Sequence, residues 1–163
     1  MRRNIRWIRD ARGISGSELS AELRRLDRDI PLLGIQRIEA GTRRVDVDDL
    51  AAIAIALGVS PASLLMPLRH DAEAPGSEGA VPSPGGVVRA DDQVEVAGWP
   101  KPLSAQWVWG WLTAQNPLVW GAVSSFVELG WPEWEREVFD MDLYMQLQRQ
   151  KRGRSHGDTD GDR

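Results

Sequence analysis

Apolar residues return in steps of three and four along the first 66 positions, the spacing of one face of an α-helix. Ile5 and Ile8 begin such a face, weakly continued at Ala11 and Arg12, and Gly13 suits the left-handed turn that ends a helix. Leu19, Leu23 and Leu26 make a second face. It is preceded by Ser15-Gly16-Ser17-Glu18, where hydroxyl and carboxylate can each satisfy a backbone amide at a helix start. A polar break, Asp27-Arg28-Asp29, leads to Ile30-Pro31; proline is tolerated at a helix start because the amide it lacks would be unpaired there. A third helix is therefore predicted from about Leu32 to Ala40, ended by Gly41. Asp46 can cap a fourth, with Leu50, Ile53, Ala54 and Leu57 on one side and Gly58 at its end, and Ser60-Pro61 opens a fifth carrying Leu64 and Leu65. Five short helices make residues 1–66 a small all-α domain. Its predicted core is Ile5, Ile8, Ile14, Leu19, Leu23, Ile35, Ile38, Leu50, Ile53, Leu57 and Leu64.

The pattern then breaks. Residues 67–92 hold Pro67, Pro75, Pro82, Pro84 and Gly85-Gly86, the composition of a linker. Residues 93–150 read as a Trp-rich, mainly helical accessory region: Val94-Glu95-Val96 suggests a short strand, and two short helices should pack Trp107, Trp111, Trp120 and Phe126 as a core. So much tryptophan also suits an apolar ligand or a protein partner. Pro132 opens a last helix in which Trp134, Val138, Met141 and Met145 alternate steps of four and three, a short coiled-coil-like seam that fits intrachain packing or a homodimer. The Gly-, Asp- and Arg-rich stretch 151–163 reads as a disordered tail. From Pro102 to Val127 there is no charge, yet Gln115-Asn116-Pro117, Gly110 and Gly121 interrupt the run, which argues against a membrane-spanning helix.

Charge changes the picture by its distribution. The formal net charge is -4, but residues 1–70 carry twelve Arg against nine acids, whereas residues 71–98 carry one Arg against six acids. The acidic average therefore leaves nucleic acid open as a partner of the first segment. Absence of Cys removes disulfides and thiolate metal sites and fits a reducing cytoplasm. His70 and His156 have no partner at metal-binding spacing, so neither a metal nor another cofactor is expected. The basic start, Met1-Arg2-Arg3, runs into Arg6, Arg9 and Asp10 and not into the apolar core of a secretory signal. Enzyme readings find little purchase: Gly13-Ile14-Ser15-Gly16-Ser17 lacks the last glycine and the strand of a nucleophile elbow, and Asp48-Asp49 and Asp140-x-Asp142 read as helix-start and surface acids.

Gly13-Ile14-Ser15, Glu18-Leu19-Ser20, Ile35-Gln36-Arg37-Ile38-Glu39-Ala40-Gly41 and Leu50 through Leu57-Gly58-Val59-Ser60 with Leu64-Leu65 resemble, in order, the landmarks of the XRE (Cro/cI-type) helix-turn-helix family of transcriptional regulators. The long second turn and Arg43-Arg44-Val45-Asp46 are similar to a variety found in high-GC Gram-positive bacteria and their phages. The resemblance implies a second helix across the phosphate backbone and a third in the major groove of double-stranded DNA. It places Leu32, Leu33, Gly34 and Arg37 toward the bases with Gln36 nearby, Ser15 and Ser17 at the helix start facing phosphate, and Arg43 and Arg44 along a phosphate strand. Arg37 can fork to a guanine, or else meet a phosphate or a neighbouring acid; the two leucines can only pack on thymine methyl groups. Arg9 and Glu39 match a structural salt bridge. Leu103 to Leu112 and Pro117-Leu118 are similar to an accessory segment of the same variety. The expected function is a cytoplasmic, sequence-specific DNA-binding regulator, a repressor. The alternatives are a protein-interaction module such as an antitoxin that represses its own operon, and a membrane-associated sensor.

Overall fold

The computed structural model describes residues 1–67, 88–119 and 122–156, and the chain divides into two compact units, Met1–Thr113 and Ala114–Arg163. The expected linker falls for the most part on residues 68–87, outside the described residues, as does Trp120.

The first unit opens with five helices: α1 (Arg2–Ala11), α2 (Gly16–Arg25), α3 (Leu32–Ala40), α4 (Val47–Ala56) and α5 (Pro61–Leu65). Their boundaries follow local chemistry. The capping box at the start of α2 is complete, with the Glu18 amide donating to Ser15 Oγ (3.1 Å) and the Ser15 amide to Glu18 Oε2 (2.7 Å). Pro31 is the N-cap of α3, and Gly41 ends that helix at φ 78°, a conformation that other residues adopt only with strain. Asp46 caps α4 through the Asp49 amide (2.7 Å), and Ser60-Pro61 starts α5. Ile5, Leu19, Leu23, Ile35, Ile38, Ile53, Leu57 and Leu64 are all but fully buried, while Ile14 and Leu50 pack only partly against them. Ile30, which the polar break had concealed, is 1 % exposed; the Ser20 hydroxyl fixes its position by donating to the Ile30 carbonyl (2.8 Å).

Polar residues of α1 and its C-cap Arg12 close the ends of α3, α4 and α5, where the last carbonyls have no partner within their own helix. Arg2 Nη1 donates to the Ala40 carbonyl at the end of α3 (3.1 Å), and Arg12 Nη1 to Leu57 at the end of α4 (2.7 Å). Buried Asn4 donates to the carbonyls of Leu64 (3.0 Å) in the last turn of α5 and of Met66 (2.7 Å) just after it. Guanidinium groups at these sites also face the negative ends of the helix dipoles.

The same unit continues past the undescribed segment. Strands β1 (Gln93–Val94) and β2 (Leu103–Ser104) pair antiparallel, Gln93 with Ser104 and Val94 with Leu103, and lead into α6 (Ala105–Leu112). The strand is thus one residue earlier and one shorter than Val94-Glu95-Val96. Val94, Ala105 and Val108 form a small core against which Met66, Val88, Leu103 and Leu112 pack. This differs from the expected core of Trp107, Trp111, Trp120 and Phe126: α6 turns Ala105 and Val108 inward, Trp107 is half-buried and Trp111 is 36 % exposed, while Trp120 lies outside the described residues.

The second unit holds α7 (Val123–Gly130), α8 (Glu133–Arg136) and α9 (Met141–His156). Val123 and Val127 are its buried apolar side chains on α7, with Phe126 only partly covered. The single helix expected from Pro132 is instead two, and the seam from Trp134 to Met145 does not exist as a continuous face. The chain leaves α8 at Glu137, and Asp140 then starts α9 afresh by accepting the Leu143 amide (3.0 Å). Phe139, in the break, stands edge-on to Trp131 at 5.0 Å and tilted against Tyr144 at 5.4 Å. Helix α9 runs into the stretch read as a tail, as far as His156. Among the described residues no helix is long and apolar enough to cross a membrane.

Candidate nucleic-acid interface

Helix α3 has two unlike faces. Gly34, Ile35 and Ile38 are buried, whereas Leu32, Leu33, Gln36 and Arg37 are exposed, the leucines by 42 % and 56 %. Gly34 is therefore not a base-facing position. A methyl group built on it would lie 2.8 Å from Arg43 Nη1 and 3.0 Å from Ile30 Cγ2, so glycine is what allows the Arg43 side chain to lie across the helix there. A methyl group on Gly16 would lie 2.7 Å from Leu32 Cδ1. The absence of a side chain at 16 is thus matched by Leu32, which fills the space between the starts of α2 and α3. Leu33 is the freer of the two leucines.

Two ion-pair systems hold this helix. Arg9 grips Glu39 with two hydrogen bonds, Nε to Oε1 at 2.7 Å and Nη2 to Oε2 at 3.2 Å, and donates from Nη1 to the Ile14 carbonyl at 2.9 Å. Both side chains of the pair are largely buried, at 14 % and 12 % exposed. The pairing ties α1 to the back of α3 and raises the Arg9 pKa, chiefly through the hydrogen bond to Glu39.

The second system centres on Asp49, whose side chain is 3 % exposed. Its Oδ1 accepts from Arg28 Nε at 2.8 Å and its Oδ2 from Arg43 Nη2 at 3.2 Å. Arg28 reaches further to both Asp46 carboxylate oxygens, at 2.8 and 2.7 Å. The hydrogen bond to Asp49 holds the Arg28 pKa above its ordinary value, and the Asp49 amide, followed by Arg28, draws the Asp46 carboxyl below its own. Asp48 and Asp49 had looked alike as helix-start acids. The discriminating signal is spacing: Asp49 stands four residues before buried Ile53 and shares its face of α4, while Asp48 points out with an 83 % exposed side chain.

These commitments sort the arginines. Arg2, Arg9, Arg12, Arg28 and Arg43 are used within the fold, and Arg6, Arg24 and Arg25 pair with Asp10, Asp29 and Glu22 on the surface. Among the described residues, Arg37 and Arg44 are exposed and make no side-chain hydrogen bond or ion pair. Arg37 thus meets no neighbouring acid. Arg43 and Arg44, expected to act alike, differ: Arg43 is half-buried on Asp49. Ser15 and Ser17 lie at the start of α2 with their hydroxyls 3.0 Å apart, and Ser15 Oγ is already engaged as the cap.

Residues 5–64 match the family model described as Helix-turn-helix, and this match supports a DNA-binding regulator. No curated protein and no solved structure matches the chain.

Proposed function

We propose that the chain is a sequence-specific transcriptional regulator, a repressor, which places α3 in the major groove of duplex DNA. The observation that carries this reading is the pair of unpaired guanidinium groups, Arg37 on the exposed face of α3 and Arg44 just beyond its end, on a domain whose other arginines are nearly all engaged. A cation that the fold leaves without an acid is available to a polyanion. Arg37 carries a planar fork that matches guanine O6 and N7, with Gln36 beside it, and Arg44 neutralises a phosphate. Ser17 and the free amides at the start of α2 add a phosphate contact where the helix dipole favours an anion. Selection from a pool of random duplexes tests the proposal: enrichment of a common sequence supports it, and failure of the folded chain to retain any duplex at low salt overturns it.

A second reading, a module that binds another protein as an antitoxin does, is favoured by the second unit. There Leu129, Trp134 and Val138 are 88 %, 70 % and 78 % exposed. A protein partner or a second copy of the chain would cover such side chains. Solution mass at micromolar concentration separates these, since a monomer removes the homodimer and leaves a different partner.

A further inference from the structure

Arg43 is assigned by sequence to the phosphate strand, but its surroundings suit a different task. Its guanidinium spans two groups at once: Nη1 lies over Gly34 on α3, and Nη2 donates to the buried carboxylate of Asp49 on α4. On the other oxygen of that carboxylate sits Arg28, which comes from the long turn before α3 and also holds Asp46, the cap of α4. One buried acid is therefore gripped from the segment entering α3 and from the segment leaving it. A nearly inaccessible carboxylate needs its counter-charges, because removing one partner leaves an uncompensated charge in a poorly solvated place. Arg43 cannot swing out to a phosphate without abandoning Asp49 and uncovering Gly34.

We propose that Arg28 and Arg43 are positioning residues, which clamp both ends of α3 to Asp49 and so fix the angle at which Gln36, Arg37 and the exposed leucines are presented. The phosphate contact of this loop falls to Arg44 alone. The inference rests on the DNA-binding reading for its effect on recognition, while the clamp itself is a property of the free protein. The long turn between α2 and α3 then has a use, since it supplies Arg28.

The test compares Arg43→Ala, Arg43→Lys and Arg44→Ala on the duplex recovered from random selection and on a scrambled duplex of equal length. A positioning role predicts that Arg43→Ala lowers the preference for the selected over the scrambled duplex by about tenfold and leaves the dependence of log K on log salt unchanged. Arg44→Ala should do the reverse, flattening that slope by about 0.9 per domain with preference intact. Lysine at 43 keeps the charge but cannot span Gly34 and Asp49, so preference should stay low; a phosphate anchor would be rescued by it. Arg43→Ala that flattens the slope as Arg44→Ala does, with preference preserved and restored by lysine, overturns the clamp. Should the alanine variant not fold, the lysine variant carries the same distinction. Amide exchange of Ile35 to Ala40 in the free protein gives a readout without DNA: faster exchange in the Arg43 variants than in Arg44→Ala supports the clamp, and equal exchange rejects it. If no duplex is ever retained, the functional reading fails while exchange still decides the clamp.

Discussion

The two units of the chain treat their side chains in opposite ways. In Met1–Thr113 the five-helix core excludes water from Leu23, Leu57 and Leu64, and polar groups such as Asn4, Arg9 and Asp49 are drawn in with partners waiting. In Ala114–Arg163 the short helices bury Val123 and Val127, while Leu129, Trp134 and Val138 remain in solvent. The difference shows that burial of apolar surface alone does not order the first unit. Its helix ends and buried charges are closed by residues far apart in sequence, Arg9 with Glu39 and Arg28 with Asp49, whereas α9 of the second unit starts on a local contact, Asp140 with the Leu143 amide.

The contrast predicts a graded set of effects. Arg9→Ala should be the most damaging, by about 3 to 5 kcal/mol in urea unfolding, because Glu39 is left buried without its partner; a loss under 1 kcal/mol would show that the pair is solvated in solution. Leu23→Ala should cost about 2 to 5 kcal/mol through lost burial and the cavity left behind. Asp46 gives a smaller, pH-dependent effect. Its carboxyl titrates below the ordinary value in the folded state, so its stabilising contribution is fully present above the unfolded pKa of about 4 and is lost as pH falls through the native one. Asp46→Asn should therefore narrow its stability gap from the parent as pH drops below that range, and a gap that widens on acidification contradicts the assignment. At the bottom of the scale, Leu129→Ala or Val138→Ala should change the unfolding of either unit by no more than about 0.5 kcal/mol, since neither side chain is removed from water. A larger loss that grows with protein concentration would instead reveal a covering copy.

Much of the first unit is legible in the sequence because its signals are local. Ser15 to Glu18, Asp46 and Ser60-Pro61 each announce a helix start within four residues, and the leucine and isoleucine spacing marks the buried faces. The arginines are harder, because whether a guanidinium serves the fold or a ligand depends on which carbonyl or carboxylate the tertiary structure brings to it. Arg43 and Arg44 are adjacent and chemically identical, and only Asp49 distinguishes them. Ile30 lies next to the charged Asp27-Arg28-Asp29 run, and Gly34 is covered by Arg43, a side chain that only the tertiary structure brings across it. In α6, the number of tryptophans does not reveal the core, which is built from Val94, Ala105 and Val108. A helix of eight residues backed by a two-residue hairpin has room for Ala105 and Val108, not for several indoles.

The central claim is that Arg37 reads sequence while Arg44 only neutralises charge, and one paired measurement tests it most directly: the affinities of Arg37→Ala and Arg44→Ala for the selected duplex and its scrambled counterpart across a salt series. Arg37→Ala should cost about 1 to 3 kcal/mol on the selected duplex and relax the choice at the base pair it contacts, with a smaller loss on the scrambled one. Arg44→Ala should weaken both duplexes alike and flatten the salt dependence. If both variants instead lower every affinity equally and leave the preference intact, α3 does not read bases through Arg37, and the account of this face as a sequence reader is wrong.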